Sequence, residues 1–346
     1  MVPVSAMPGA GRVPPSAPGR QPPCRLPTAG GRGEATEGAI VSYLTIDEHP
    51  ELREPTLVAA FAGWPDAGEV ATGSMRYLLR KLRAQPFARI DPEEFYDFTD
   101  VRPHTTLVRP WVREITWPSN EFHYWQRPGG PDLVLLLGRE PSLRWRTYIA
   151  TLFELIDRLG VRQVVTLGGT FDSVPHRGEP RVSGAAADPQ LRAALQALGV
   201  RPSTYEGPTS INSALLDACR RRGVPAGSLW GHAPHYLQAA PNVKVCYGVL
   251  RKLAALLDLP LDLEEIRGAA RALELRVERL LADNEQLQAY VRQLEEREAA
   301  EPEDVPESPA GEPSPIPSPE VVLRELEEFL RQQRQQDGDA PPGRAD

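Results

Sequence analysis

Residues 132–138 read Asp-Leu-Val-Leu-Leu-Leu-Gly, with five aliphatic side chains in a row and no polar alternation. A strand that is apolar at every position must be covered on both faces, the condition of a buried parallel sheet. A helical pattern follows near 142–159, and a second apolar run, 163–167, comes after it. Strand, helix and strand in that order make a βαβ unit, whose crossover is expected to be right-handed. The unit sets the chain as α/β, a mainly parallel sheet between helices.

Neighbouring segments extend the pattern. Residues 39–46 make a first strand, and 56–62 a buried one that ends sharply at Gly63-Trp64-Pro65-Asp66-Ala67-Gly68. About 16 residues of helix should follow, through Met75, Leu78, Leu79 and Leu82 at helical spacing. Three short alternating runs, 105–109, 112–116 and 121–126, read as an antiparallel meander. Helices near 188–198 and 210–222 flank a strand around 228–233, and 243–257 is a further amphipathic helix. The α/β body is thus expected over 39–258.

From 259 to 298 the periodicity changes. Leu263, Ile266, Ala270, Leu273, Val277, Leu280, Asn284, Leu287, Val291 and Leu294 keep a strict alternation of four and three residues. Val with a single Asn at the a positions and Leu at d favours a parallel two-stranded coil. The extra apolar Leu281 allows the other reading, a helix folded back on its own domain. An association role is expected for Ile266, Leu273, Val277, Leu280, Asn284, Leu287, Val291 and Leu294.

Composition bounds the ends. Residues 1–38 hold 8 Pro and 7 Gly, too little apolar side chain to offset the cost of ordering, and are expected to be disordered. A Pro/Glu/Ser linker spans 299–317, and 337–346 is a disordered end. Between them, 318–336 forms a short amphipathic helix capped by Ser318-Pro319-Glu320, a candidate docking element for another protein. The net charge of −8 sits in the tail: from 298 onward 13 acidic residues face 4 Arg, a balance of −9, which leaves +1 for residues 1–297. A neutral body lacks the basic stripe that nucleic acid requires. Three scattered cysteines suit a reducing cytoplasm, and no apolar run approaches the ~20 residues that span a bilayer.

Candidate chemistry lies at strand ends. Asp66, with Glu69 three residues on, reads as a capping box, and a carboxylate there would repel a phosphate. Trp64 is expected to cover the sheet edge, stacking on a ligand being the other reading. Gly168, Gly169 and Thr170 form a second loop open to a ligand, and Arg139 ends another strand. In the third loop Glu206 is a candidate acid, and Thr209 or Ser210 an N-cap. His232 and His235 stand three apart, but Pro234 breaks the helical geometry a metal pair would need. His235 remains a pocket candidate, and Cys219 reads as core. No P-loop, dinucleotide fingerprint, Gly-x-Ser-x-Gly elbow or HExxH is present, so neither cofactor nor metal is expected, and no nucleophile with a neighbouring base is visible from spacing.

Several motifs come in a characteristic order: Gly63-Trp64-Pro65-Asp66-Ala67-Gly68, Phe95-Tyr96-Asp97-Phe98 to Arg102-Pro103, Ile115-Thr116-Trp117-Pro118 and Val164-Val165-Thr166-Leu167-Gly168-Gly169. Tyr205-Glu206-Gly207-Pro208-Thr209, Pro234-His235-Tyr236, Pro241-Asn242 and Ala289-Tyr290-Val291-Arg292-Gln293-Leu294 follow. Over roughly 40–297 the chain resembles the bacterial branch of the proteasome assembly chaperone 2 family. The resemblance implies a fold similar to purine nucleoside phosphorylases and self-association into a homo-oligomer. It also implies an assembly or interaction role, and the missing nucleophile–base pair leads to the expectation that this role is not catalytic. The alternative is a small-molecule-binding protein or a hydrolase- or phosphorylase-like enzyme using the strand-end pocket. The hydrophobic-tyrosine-any ending by which some of these chaperones dock on the proteasome is not matched by Gly343-Arg344-Ala345-Asp346.

Overall fold

The structure is a computed structural model that describes residues 43–237, 241–282 and 284–300. The expectations for 1–38, 318–336 and 337–346 lie outside these residues, as does that for 299–317 apart from its first two positions.

The apolar runs become the centre of one sheet. Strands β1 (Leu44–Ile46), β2 (Thr56–Ala62) and β3 (Gln85–Ile90) are joined by helix α1 (Val70–Leu82) between the last two. Then come β4 (His104–Arg109), β5 (Val112–Thr116), β6 (Asn120–Trp125), β7 (Leu133–Arg139), α2 (Trp145–Leu159) and β8 (Gln163–Asp172). Strand β9 (Val182–Gly184), α3 (Pro189–Ala197), β10 (Arg201–Pro202), α4 (Ile211–Arg222), β11 (Ala226–Pro234) and α5 (Val243–Leu256) complete the sheet layers. Two helices, α6 (Glu264–Ala282) and α7 (Glu285–Ala300), follow.

Among the described residues the sheet has nine strands in the order β1-β3-β6-β7-β2-β8-β11-β9-β10. Its four central strands, β7, β2, β8 and β11, are parallel. The flank β1-β3-β6-β7 is antiparallel, as is the pairing of β9 with β11, so the sheet is mixed around a parallel centre. The expected meander divides differently. Its third run is β6, a member of the main sheet, whereas the first two, β4 and β5, pair only with each other among the described residues.

Alternate side chains of the central strands feed two cores. On one face Val58, Leu135, Val165 and Leu229 pack against α1 and α5 residues such as Met75, Leu78, Val249 and Leu253. On the other, Leu57, Phe61, Val134 and Val164 meet Tyr148, Leu152, Leu215 and Cys219 of α2 and α4. Burial pushes the Cys219 thiol up to about 12, consistent with a core residue.

One polar group sits inside the second core. Asn120, fully buried at the start of β6, donates from Nδ2 to the Tyr96 hydroxyl at 2.6 Å. Its Oδ1 accepts both the Tyr148 hydroxyl (2.9 Å) and the Arg139 backbone N–H (3.0 Å). The Tyr96 hydroxyl in turn donates to the Arg139 carbonyl at 2.6 Å. The carboxamide fills the space that a Cβ on Gly138 would need.

The heptad segment is not one helix. It breaks before Asn284, whose Oδ1 accepts the Leu287 N–H at 3.0 Å, so this residue caps α7 instead of setting a coiled-coil register. Val277, Leu281 and Val291 form a small core with Leu273 and Leu287 against Tyr236 and Leu237. Leu280, expected in the seam, is 70% exposed. Ile266 joins the main core beneath α1 and α5.

Candidate functional site

Ligands of open α/β sheets gather at the carboxyl ends of the parallel strands. At the end of β2, Asp66 Oδ1 accepts the N–H groups of Ala71 (2.8 Å) and Thr72 (3.1 Å), and Oδ2 accepts the Thr72 hydroxyl (2.6 Å). Asp66 therefore caps α1. The expected capping box is absent, because Glu69 turns outward to Arg76 at 2.9 Å. Burial raises the Asp66 carboxyl above its usual range against the pull of these hydrogen bonds. Amides so occupied are closed to a phosphate.

Gly168-Gly169-Thr170 is not a loop, since β8 continues to Asp172. A Cβ on Gly168 would lie 2.5 Å from the Trp230 indole, and one on Gly169 would lie 2.6 Å from the Ala67 carbonyl. These glycines let neighbouring groups close in, and Gly169 N–H donates to Pro65 O at 2.8 Å. Trp64, expected as cover, is 55% exposed and faces Tyr205 at 6.2 Å between ring centres. Glu206 and Thr209 are exposed, and Ser210 is the N-cap of α4. A half-buried acid of this region is instead Glu140, whose Oε1 accepts the Ile211 N–H at 2.8 Å and whose carboxyl is raised by partial burial. Arg139 serves through its backbone, as described. His235 is exposed and turned towards α7, within 3.2 Å of the Tyr290 hydroxyl. The sequence candidates are thus spread along the edge, mostly around the first loop.

Three residues, of which the sequence pattern singles out only His232, meet at the far end of the same edge. Parallel pairing sets His232 opposite Thr170 and Pro234 opposite Asp172, while β9 brings Ser183 opposite Trp230. His232 Nδ1 lies 2.7 Å from Asp172 Oδ2, and Nε2 lies 2.8 Å from Ser183 Oγ. The hydrogen bond from His232 holds the Asp172 carboxyl below its usual value, with help from the Ser173 N–H. Among the described residues no three His, Cys, Asp or Glu side chains group as metal ligands. No described helix is long and apolar enough to cross a membrane.

Helices α6 and α7 are clasped beside this edge by charge. Arg177 bonds Glu278 through Nε (2.5 Å) and Nη2 (2.8 Å), and reaches Glu295 at 3.2 Å. Buried His176 approaches Glu278 through Nε2 at 3.0 Å and the Tyr236 hydroxyl through Nδ1 at 2.8 Å. Arg181 meets Glu298 at 3.3 Å, and Lys244 meets Glu274 at 2.9 Å.

The Arg177 guanidinium, aided by His176, holds the Glu278 carboxyl down to about 2 from an ordinary 4.5. A carboxyl depressed on folding stabilises above its unfolded value, and that stabilisation is lost as pH falls through the folded one. Burial also lowers His176 from 6.5, so its protonation works in the same direction on acidification. The clasp should therefore begin to loosen below pH 6.5 and open mainly between 4.5 and about 2. Side-chain NMR signals of Tyr236 and Tyr290 should follow this transition, and Glu278→Gln should remove its lower step. An unchanged titration in that variant would refute the assignment.

A PAC2 family model matches residues 60–281 of the chain. Among solved structures, a PAC2 family protein from Streptomyces avermitilis is 39% identical with a TM-score of 0.63, covering 68% of this chain and 99% of its own. A proteasome-assembly chaperone homologue from Mycobacterium tuberculosis is 36% identical with the same TM-score and the same coverage. An archaeal proteasome activator from Pyrococcus furiosus, 21% identical over 68% of this chain and 97% of its own, shares the fold with a TM-score of 0.55. No curated protein matches. The family model spans more than half of the chain, and two bacterial structures above 30% identity align along nearly their whole length; the chain belongs to the PAC2 family.

Proposed function

We propose that the chain is a proteasome-assembly-chaperone-like factor that works by binding protein, in the first place a second copy of itself. The observation that carries this reading is the β4–β5 hairpin. Every residue of both strands is exposed, and among the described residues the hairpin pairs with no other strand. Leu107, Val108, Val112 and Ile115 face solvent, and Trp111 at the tip is 99% exposed. A two-stranded hairpin is marginally stable by itself in water. Contiguous apolar surface of this kind marks a binding site. Its base is fixed to the body by Trp117, which meets Phe98 edge to face at 5.0 Å, so the arm is held in place for a partner.

The test is sedimentation of the full chain at micromolar concentration, beside the double variant Trp111→Ser, Ile115→Ser. The native chain should sediment as an oligomer and the variant as a monomer whose far-ultraviolet circular dichroism is unchanged, because both side chains are exposed on their own chain. A monomeric native chain, or a variant of unaltered mass, would defeat the reading. The heptad positions belong to the same proposal in a second rank, since Leu273, Val277, Leu287 and Val291 are spent on the α6–α7 core within the chain. Binding of a further protein through 318–336 is tested by deleting that segment and asking whether a co-purifying protein is lost. A phosphorylase-like use of the strand-end loops is less well supported, because Asp66 fills the helix N-terminus that phosphate would need.

A further inference from the structure

The side chains at the ends of β8, β9 and β11 form a sequence of hydrogen bonds with a chemical direction. Asp172 Oδ2 stands on the Nδ1 side of His232, and Ser183 Oγ on the Nε2 side. An ionised aspartate can only accept, so Nδ1 carries a proton, and in the neutral imidazole Nε2 is then the bare nitrogen. The serine hydroxyl then donates to Nε2. A hydroxyl on a bare imidazole nitrogen, with a carboxylate holding the opposite nitrogen, is the order of nucleophile, base and orienting acid.

The orientation is fixed by parts that do not depend on the three side chains. Strand pairing sets the spacing of β8, β11 and β9, and the Ser173 N–H pins Asp172 Oδ1 at 2.7 Å. Trp230, two residues before His232 and so on the same face of β11, lays its indole over Gly168 and walls one side. The Asp172 and His232 side chains keep 35% and 15% of their surface open, whereas Ser183 keeps 8% as a residue. A reactant would reach Oγ along the imidazole ring. The cavity beside His232, lined also by Arg181, Pro234 and Val174, has about 20 Å³ free, room for about one water-sized group, which limits an acyl portion there to the smallest.

We propose that Ser183, His232 and Asp172 are a hydrolytic triad for esters of small acyl groups. The proposal goes beyond the protein-binding role and shares none of its observations. In the first half-reaction Ser183 Oγ adds to the acyl carbon while its proton passes to His232 Nε2. The bond from that carbon to the alcohol oxygen breaks, and the proton leaves Nε2 with the alcohol. In the second half-reaction water gives a proton to Nε2 and its oxygen to the acyl carbon. The Oγ–acyl bond breaks, Oγ recovers the proton, and a carboxylic acid is released.

The test is treatment of the native full-length chain with an alkyl phosphonofluoridate, in which an Oγ–P bond forms and fluoride leaves. Intact-mass and peptide mass spectrometry should find one adduct, on Ser183, and p-nitrophenyl acetate should be hydrolysed above the Ser183→Ala background. His232→Gln and Asp172→Asn should slow labelling by about 10²-fold or more, in line with the loss of a general base or its orienting group. Far-ultraviolet circular dichroism would show that the variants remain folded. Absence of an adduct on Ser183 in the native chain overturns the proposal, whatever the variants do. So does labelling of Ser183 at an unchanged rate in folded His232→Gln, which would leave the three residues as a structural tie between strands.

Discussion

Asn120→Ala is expected to lower folding stability by roughly 2–6 kcal/mol, since two buried donors lose their acceptor at about 1–3 kcal/mol each. The donors are the Tyr148 hydroxyl and the Arg139 N–H, and neither has another partner within the network described. Tyr148 is wholly buried, so no water can replace the carboxamide without opening the core. The same burial holds its hydroxyl well above the ordinary tyrosine value, which keeps it a donor at any working pH. Urea unfolding of the single and double variants separates the contributions. Asn120→Ala combined with Tyr148→Phe should lose less than the sum of the two, because removing the hydroxyl removes one of the orphans. A loss under about 1 kcal/mol for Asn120→Ala would mean that the network adds specificity and little stability.

The second large effect is a contrast between neighbours. Leu281, 2% exposed, lies in the α6–α7 core, and Leu281→Ala should cost about 2–5 kcal/mol. Leu280→Ala, one residue earlier on the solvent side, should stay within about 0.5 kcal/mol. Asn284→Leu should cost about 1 kcal/mol through the lost cap. In a two-stranded coil the order would be the reverse, with Leu280 critical and Asn284→Leu stabilising. Urea unfolding of the three variants decides between the arrangements.

These residues also show what the sequence makes legible. The continuous apolar character of β2 and β7, and the one-sided faces of α1, α2 and α5, are local properties, and the central layers could be read from them. Strand β3 was invisible because Gln-Pro-Phe-Ala-Arg-Ile neither alternates nor runs apolar. The heptads continued on paper through Asn284 because a capping Asn and a register-setting Asn are the same letter. What differs is whether the chain turns back, and Arg177 decides that by reaching Glu278 and Glu295 together.

The candidate site was less legible for a similar reason. Asp66 announced itself through the helix it caps. Asp172, Ser183 and His232 lie 11 and 49 positions apart and meet only through strand register. Glu140 carries no local signal, because nothing in Gly138-Arg139-Glu140 foretells that its carboxylate takes an amide of a helix 71 residues on. Glu206 attracted attention for its motif and lies in solvent.

The outermost strands of the sheet carry a further consequence. β1 has three residues, and β10 has two, the second of them Pro202, which has no amide hydrogen to offer. Margins this short, one of them interrupted by proline, give an incoming chain almost no row of free peptide groups on which to crystallise a new strand. Runaway fibre growth by lateral accretion is thereby discouraged, although the sheet holds long, intensely apolar strands at its centre. A molecule that displays sticky surface in order to meet partners can do so with less hazard when that surface is a separate two-stranded finger and not the rim of its main sheet.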